Sequence, residues 1–282
     1  MIRTKTFHKS IIIYVRTFFC VLLLLLPVLR VDAARDEATV AGNWTFEDGS
    51  AIDTSKNGIN GKFVGNPKSV EGIVGKALQF DGESDGIDLP DTPLINTGGP
   101  YTDRTVAAFF RCHDISLNQK QMIFQEGGAT RGLCLYVYKG EVYVGGWNRA
   151  QYNWDGAWIS ESIKSNRWHH VAAVIREAAG AVENDKLEMW LDGKLVGKEA
   201  GGQLHAHTNN TSIGYVTQKT IYHDGVEDLS NVGWFDGILD EVLVYNSAFD
   251  KEDFTKIAQP LSVEPAGKFT TTWGYLKDKW TK

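Results

Sequence analysis

Length, composition and charge limit the kinds of protein that this sequence can form. The chain has 282 residues and a formal net charge of −6, and 11% of its residues are aromatic. Nucleic-acid-binding domains normally carry a basic surface, so this mildly acidic balance gives no reason to expect a nucleic-acid partner. The length suffices for one large β domain with a single core.

The N-terminal segment has the pattern of a secretory signal peptide. Basic residues between Arg3 and Arg16 precede the apolar run FFCVLLLLLPVL, and Val31 and Ala33 occupy the −3 and −1 positions of a cleavage site. The apolar run is short for a transmembrane helix, although an uncleaved anchor remains the alternative. We therefore expect removal of residues 1–33 and a secreted, extracellular or periplasmic protein.

The stretch GLCLYVYKGEVYVGGW predicts a β-hairpin that turns at Lys139-Gly140. This turn pairs Tyr138 with Glu141 and Tyr136 with Tyr143, because facing residues follow from the loop length. One face of the hairpin is aliphatic and is expected to lie in the core. The other face is aromatic and is expected to be at least partly open; it carries Tyr136, Tyr138, Tyr143 and Trp147.

Later segments add further strands and one helix. Asp192-Gly193 predicts a second tight hairpin within KLEMWLDGKLVG. Helical periodicity appears in DKEDFTKIAQ, where Asp250 can cap and Phe254 and Ile257 share a face. Many short strands with one terminal helix indicate an all-β, two-sheet sandwich of jelly-roll type. We assign the domain to residues 40–259 and a basic, Trp-containing tail to residues 260–282.

Six blocks of the sequence carry a family resemblance, in the expected order. They are NWTFEDGSAIDTSKNGINGKFVG, GIVGKALQFDGESDGIDLP, TVAAFFRC, RWHHVAAVI, LEMWLDGKLVG and GWFDGILDEVLVYNSAF. Together they resemble the laminin-G-like, concanavalin-A-like jelly rolls of bacterial secreted proteins. This fold occurs in lectins, adhesion modules, appended domains of glycosidases and some enzymes, so the resemblance defines function only loosely.

The resemblance implies a structural calcium site. In related jelly rolls a calcium ion ties the last strand to the loop after the first, which here implies Asp240 together with Asp53 and Asn57. Carboxylate, amide and carbonyl oxygens suit Ca²⁺. The alternative is that Asp240 only hydrogen-bonds backbone groups. Asp240 and Glu241 do not form a catalytic pair, since adjacent residues on a strand point to opposite faces.

Aromatic residues in and after the first hairpin suggest a glycan site. Sugars stack their apolar faces on such rings, so we expect binding through Trp147 and Trp154, helped by Tyr136 and Tyr143. The alternative is that these rings pack inward. The expected partner is a polysaccharide or glycoconjugate. Contact with a membrane is expected only through an uncleaved signal or the C-terminal tail.

The remaining chemistry is sparse. After signal removal the chain keeps Cys112 and Cys134, which an oxidising compartment permits to form a disulfide, unless the two face different sides of the sheet. No Ser-His-Asp order, phosphate loop or zinc-protease motif is present. We therefore expect an exported carbohydrate-binding or adhesion module without catalytic residues. A glycan-processing enzyme and a purely structural envelope protein are the alternatives.

Overall fold

The structure is a computed structural model that describes residues 39–208 and 211–262. The predicted signal peptide and the tail beyond residue 262 lie outside the described residues. In chain order the first nine strands are β1 Val40–Trp44, β2 Lys62–Val64, β3 Lys68–Glu71, β4 Lys76–Asp81, β5 Gly86–Asp88, β6 Arg104–Cys112, β7 Gln121–Gly127, β8 Arg131–Tyr138 and β9 Glu141–Asn148.

A short helix separates these strands from the next eight. Helix α1 spans Arg149–Tyr152. The following strands are β10 Trp154–Ser162, β11 His169–Ile175, β12 Glu183–Leu191, β13 Lys194–Gly201, β14 Thr211–Ile213, β15 Thr220–Ile221, β16 Glu227–Asp228 and β17 Asp236–Tyr245. Helix α2 spans Lys251–Ile257 and is followed by a 3₁₀ turn, Gln259–Ser262. No helix of the described part is long and apolar enough to cross a membrane.

The strands form two large antiparallel sheets, which confirms the predicted jelly-roll sandwich. The eight-stranded sheet has the order β13-β12-β11-β6-β17-β4-β3, with β1 also paired to β17. The seven-stranded sheet has the order β10-β9-β8-β7-β14-β5-β2, and β15 pairs with β16 in a small ribbon. Neighbours that are distant in sequence, such as β6 and β17, are typical of Greek-key connections.

Both predicted hairpins are present. Tyr136 pairs with Tyr143 and Tyr138 with Glu141, in the predicted register. Lys139 and Gly140 adopt φ angles of 48° and 88°, the left-handed pair that a tight two-residue hairpin requires. Leu191 pairs with Lys194 across the second turn in the same way.

Apolar side chains form three clusters. The main core lies between the two large sheets and includes the aliphatic face of the first hairpin, residues Leu133, Leu135, Val137, Val142 and Val144. A second cluster lies on the outer face of the eight-stranded sheet, where Phe254 and Ile257 of α2 are buried, as the helical pattern predicts. Asp250 caps this helix by accepting hydrogen bonds from the backbone of Glu252 and Asp253. The third cluster lies on the outer face of the seven-stranded sheet.

Candidate functional site

The aromatic face of the first hairpin lies on the outer side of the seven-stranded sheet, opposite the main core. Tyr136 and Tyr143 stack with ring centroids 4.9 Å apart and an angle of 5° between their planes. Trp147 belongs to the same cluster. The sequence therefore predicted correctly which rings share this face.

The prediction that this face is at least partly open holds for Tyr138, which is partly exposed, and is wrong for the other three rings. Tyr136 and Trp147 are fully buried and Tyr143 is 9% exposed. Residues 215–234, here called the covering segment, lie over these rings and contain the ribbon β15–β16. Within it, Tyr222 meets Tyr136 edge to face at 4.9 Å, and His223 stacks on Tyr143 at 4.3 Å.

Polar contacts hold the covering segment to the sheet. The Tyr136 hydroxyl lies 2.7 Å from Nδ1 of His223 and accepts a hydrogen bond from the His223 backbone N–H. The indole N–H of Trp147 donates to the Gly128 carbonyl at 2.7 Å. Three of the four predicted sugar-binding rings thus have their outward surface occupied by protein.

Trp154, the fourth predicted ring, is also buried, but in the main core between the sheets. The register of β10 shifts between Trp154 and Ala157, and Gly156 adopts a φ of 124°. This bulge inserts an extra residue, which changes the face that a side chain occupies. Trp158 consequently packs toward the outer cluster while Trp154 points into the core.

A groove remains open where the covering segment meets the loop before β7. Its volume is about 470 Å³, within the range of small-molecule sites. Its lining residues are mostly polar, with two aromatic rings and few charges: Asn118, Gln119, Lys120, Tyr138, Asp228, Asn231, Val232, Gly233 and Trp234. We call it the outer groove.

The two aromatic residues of the outer groove are only partly buried and are held in position by their neighbours. Trp234 stacks on the buried ring of Tyr215, with centroids 4.6 Å apart and planes 4° apart, and its carbonyl accepts a hydrogen bond from Gln119. The Tyr138 hydroxyl donates to Oδ1 of Asn118 at 3.2 Å. Fixed rings beside side-chain amides are the groups that recognise sugars, whose faces are apolar and whose edges are polar.

Asp53 and Asn57, two of the three implied calcium ligands, form hydrogen bonds with different groups from those that Asp240 contacts. Both carboxylate oxygens of Asp53 accept hydrogen bonds within their own region, from Asn43, Ser55 and Ile59. Asn57 uses its amide N–H groups to bind the carbonyls of Val40 and Ala41. In the structure Asp53 and Asn57 therefore hold the loop after β1 to that strand by hydrogen bonds, and these bonds do not include Asp240.

Asp240 lies in a different polar environment. Its Oδ2 accepts hydrogen bonds from the backbone N–H groups of Ile73 and Val74, whereas Oδ1 is buried without a hydrogen-bond partner among the described residues. Burial raises the pKa of Asp240 well above its usual value, and the negative charges of Glu241 and Glu47 raise it further. A cation next to Oδ1 would satisfy this atom, so the hard oxygens present here fit Ca²⁺.

Two further observations bear on the carboxylates at this position. Among the described residues no group of three or more His, Cys, Asp or Glu side chains could by itself hold a metal ion. The strand alternation assumed for Asp240 and Glu241 is interrupted, because Glu241 sits in a bulge with a φ of 48°. Both side chains are nevertheless buried and do not line the outer groove.

The disulfide that the two cysteines could form is absent. Cys112 and Cys134 are both free and buried. Cys112 belongs to the eight-stranded sheet and points into the main core, whereas Cys134 belongs to the seven-stranded sheet and faces the covering segment. The two thiols therefore lie in different layers. Burial raises the pKa of Cys112 to about 12, which keeps it a neutral thiol.

Sequence reasoning missed the outer groove because it did not identify the covering segment. One signal was available: Asp224-Gly225 lies between two short runs that pair as β15 and β16, and Asp-Gly is a typical hairpin turn. A ribbon with buried Ile221 and Tyr222 needs an apolar partner. The aromatic face of the first hairpin, for which the sequence showed no other packing partner, is the surface on which this ribbon packs.

The geometry defines a two-sheet jelly roll with a covered outer face, and a family profile matches the chain. The profile of the concanavalin A-like lectin/glucanases superfamily matches residues 81–254, and the chain belongs to this superfamily. No curated protein sequence shows a significant match to the chain.

Solved structures with the same fold include a domain of an arabinanase and the binding domains of a mosquitocidal protein and of botulinum neurotoxins. Domain 4 of AbnA, an extracellular arabinanase from Geobacillus stearothermophilus solved with arabinotriose, is 18% identical with a TM-score of 0.57, over 78% of this chain and 98% of that one. The binding domain of Paraclostridial Mosquitocidal Protein 1 is 16% identical with a TM-score of 0.59, over 79% of this chain and 52% of that one.

A third similar structure is a botulinum neurotoxin binding domain. The serotype G domain is 8% identical with a TM-score of 0.59, over 78% of this chain and 50% of that one. This chain thus spans about half the length of the toxin binding domains. At these identities the likeness concerns the fold.

Proposed function

We propose that this protein is a carbohydrate-binding module that holds a glycan in the outer groove. The observation that carries the proposal is the combination of two partly exposed, fixed rings, Trp234 and Tyr138, with side-chain amides in one open groove. A sugar ring would stack on the indole face that Tyr215 does not occupy, and its hydroxyls would bond to Asn118 and Asn231. This placement replaces the buried rings that the sequence suggested.

Binding, rather than hydrolysis, is the activity that we infer for this groove. Hydrolysis by the usual mechanism needs two carboxyl groups on either side of the scissile bond. Among its described lining residues the outer groove has one, Asp228. A purely structural envelope protein does not require fixed rings beside amides in an open groove. The groove therefore favours the binding module over that alternative.

Similar structures supply two precedents for sugar binding on this fold. The AbnA domain was solved in complex with arabinotriose, and the binding domain of botulinum neurotoxin DC was solved in complex with SialylT. We extend glycan binding, and no particular sugar, from these proteins to this chain. The signal-like pattern of residues 1–33 supports export of the module to an extracellular or periplasmic location, where glycans are available.

We also propose that Ca²⁺ stabilises the fold at Asp240, with Glu47 as a second carboxylate ligand. The support is the buried Oδ1 atom of Asp240 and the negative charges that surround it. The ion would be structural, because Asp240 does not line the outer groove.

The proposed glycan site is tested by removing one of its rings. Trp234→Ala should weaken retention of the purified protein in polysaccharide-containing native gels by about fivefold or more, since an aromatic contact contributes about 1 kcal/mol beyond its area. Asn118→Ala leaves Trp234 unchanged but removes a side-chain amide and the hydrogen bond that holds Tyr138, so it should also weaken retention. Val226→Ala changes an exposed residue of the covering segment outside the groove and serves as the matched control.

The outcomes are separated by a melting curve for each variant. If Trp234→Ala and Asn118→Ala stay folded and are retained as strongly as Val226→Ala, the outer groove is not the glycan site. If the parent protein is retained by none of the polysaccharides arabinan, xylan, mannan, alginate and polygalacturonate, the proposed function itself is wrong.

A further inference from the structure

The one lysine of the outer groove has its charge already neutralised. Nζ of Lys120 lies 2.8 and 2.9 Å from the two carboxylate oxygens of Asp224. The same ammonium lies 4.3 Å from the centre of the Tyr222 ring, and the side chain is 9% exposed. An incoming carboxylate would have to compete with Asp224, whose own side chain is 35% exposed, for this nearly buried ammonium group.

The second charged residue of the groove, Asp228, has no such partner. Among the described residues no lysine, arginine or histidine forms an ion pair with Asp228, whereas its neighbour Glu227 pairs with Arg149 at 2.7 Å. Burial raises the pKa of Tyr222, and the negative charge of Asp228 raises it further. Asp228 therefore contributes to the groove a negative charge that no ion pair among the described residues neutralises.

Apart from Lys120, no described lining residue of the outer groove adds a positive charge that could offset Asp228. Lys139 is exposed at the hairpin turn, 4.8 Å from the centre of the Tyr138 ring, and it is not among the groove's lining residues. The remaining polar groups of the lining are the neutral amides of Asn118, Gln119 and Asn231. The side-chain amide of Gln119 donates hydrogen bonds to the backbone carbonyls of Trp234 and Gly82.

We propose that the outer groove selects uncharged glycans and discriminates against glycans that carry carboxylates, with Asp228 as the specificity-determining residue. The inference rests on the proposed function and refines it. The Asp228 carboxylate accepts hydrogen bonds from hydroxyls of a neutral sugar, and charge-assisted bonds of this kind are stronger than neutral ones. The same carboxylate repels a uronate or sialate, so that one group both attracts the right ligand and excludes the wrong one.

The test compares neutral and acidic polysaccharides on the same protein. Affinity electrophoresis of the full chain in arabinan, xylan or mannan is compared with alginate or polygalacturonate, at low and at moderate salt. We expect at least one neutral polysaccharide to bind, and the acidic ones to bind about tenfold or more weakly at low salt. Added salt should narrow the difference, because the groove is open to solvent and the repulsion is screened.

Asp228→Asn should weaken binding of the neutral polysaccharide several-fold and reduce the discrimination against the acidic ones. Asp155→Asn removes an equal charge from a strongly exposed residue outside the groove and should leave both properties unchanged. Melting curves confirm that both variants are folded.

Each remaining outcome decides the question. Acidic polysaccharides that bind as tightly as neutral ones, with binding lost in Trp234→Ala, would overturn the selectivity and leave the glycan site standing. Discrimination that is unchanged in Asp228→Asn would overturn the role of Asp228. A parent protein that binds no polysaccharide of either kind would overturn the proposed function and the selectivity together.

Discussion

Asp240 combines three features that rarely persist in a buried side chain without a compensating partner. It is fully buried, its Oδ1 has no hydrogen-bond partner in the described part of the chain, and other carboxylates act on it. An isolated buried charge is strongly unfavourable, so either a proton or a cation must accompany it. A Ca²⁺ bound at the proposed site would satisfy the same oxygen and offset the repulsion from Glu47 and Glu241.

Removal of calcium should therefore lower the stability of the protein. We expect a chelator to reduce the melting temperature and added Ca²⁺ to restore it, because an ion at 100 times its Kd stabilises the native state by about 2.7 kcal/mol. Asp240→Asn keeps an acceptor for the Ile73 and Val74 backbone groups and should abolish most of this response, as measured by differential scanning calorimetry.

Asp53→Asn is the matched control, since the resemblance implied Asp53 as a ligand together with Asn57 and Asp240. It should lower the melting temperature through its loop hydrogen bonds while leaving the response to calcium intact. An unchanged melting curve of the parent protein in chelator and in calcium would exclude a structural calcium ion. A calcium response that is absent in Asp53→Asn and persists in Asp240→Asn would assign the site to the loop after β1.

At the residue scale, the sequence predicted which residues pair across the first hairpin, but it did not predict which of its side chains are exposed to solvent. The register of the first hairpin follows from Lys139-Gly140 alone, because the turn type determines which residues face each other. Whether Tyr136 is exposed depends on residues such as His223, 87 positions further along the chain, which local periodicity does not report. The buried position of Trp154 depends on a bulge, and bulges shift the alternation on which such predictions rest.

The elements on the two outer faces of the sandwich differ in how they are attached. Helix α2 packs on the eight-stranded sheet through ring contacts of Phe254: its ring stacks on that of Trp190 with centroids 4.7 Å apart, and its centroid lies 6.1 Å from that of His170. The covering segment adds polar contacts to its apolar ones, through His223 and the Lys120–Asp224 ion pair. The pattern around α2 was visible in the sequence, whereas the covering segment was not recognised.

The position of His170 beneath α2 makes the protein sensitive to acid. Its ring contacts Phe109 at 4.7 Å, and burial lowers its pKa from 6.5 to about 4, although Asp192 acts in the opposite direction. The unfolded chain therefore binds a proton more readily than the native state between pH 6.5 and 4. The stability contributed by neutral His170 is complete above pH 6.5, and it is lost as the pH falls toward 4.

His170→Phe should flatten this part of the pH profile. The substitution keeps an aromatic ring against Phe109 and removes the titration, so the parent should lose about 2 kcal/mol more than the variant between pH 7.5 and pH 5. Urea unfolding at the two pH values measures the difference. His207→Asn, at a histidine outside this cluster, should behave like the parent. Equal losses in the parent and in His170→Phe would contradict the buried, neutral state of His170.

At the scale of the whole molecule, residues 39–208 and 211–262 form four layers in place of the two that a sandwich requires. The two large sheets enclose the main core, α2 covers part of one outer face, and the covering segment covers part of the other. The sheets and their central core could be predicted, because alternation and turn chemistry are local signals. The outer layers depend on contacts between segments that are distant in sequence, which local signals do not predict. The outer groove lies at one such contact, between the covering segment and the loop before β7.

The central claim, that a glycan binds in the outer groove, is tested most directly by the indole N–H signals of the tryptophans in solution. Xylotriose, arabinotriose and mannotriose are titrated into ¹⁵N-labelled protein, with Trp234→Phe used to assign the Trp234 signal. We predict that the Trp234 resonance shifts saturably with at least one of these sugars. The signals of Trp44 and Trp147, whose rings are fully buried and whose N–H groups donate to backbone carbonyls, should stay in place. A saturable shift at other tryptophans with Trp234 unmoved, or no saturable shift with any sugar, would contradict the account.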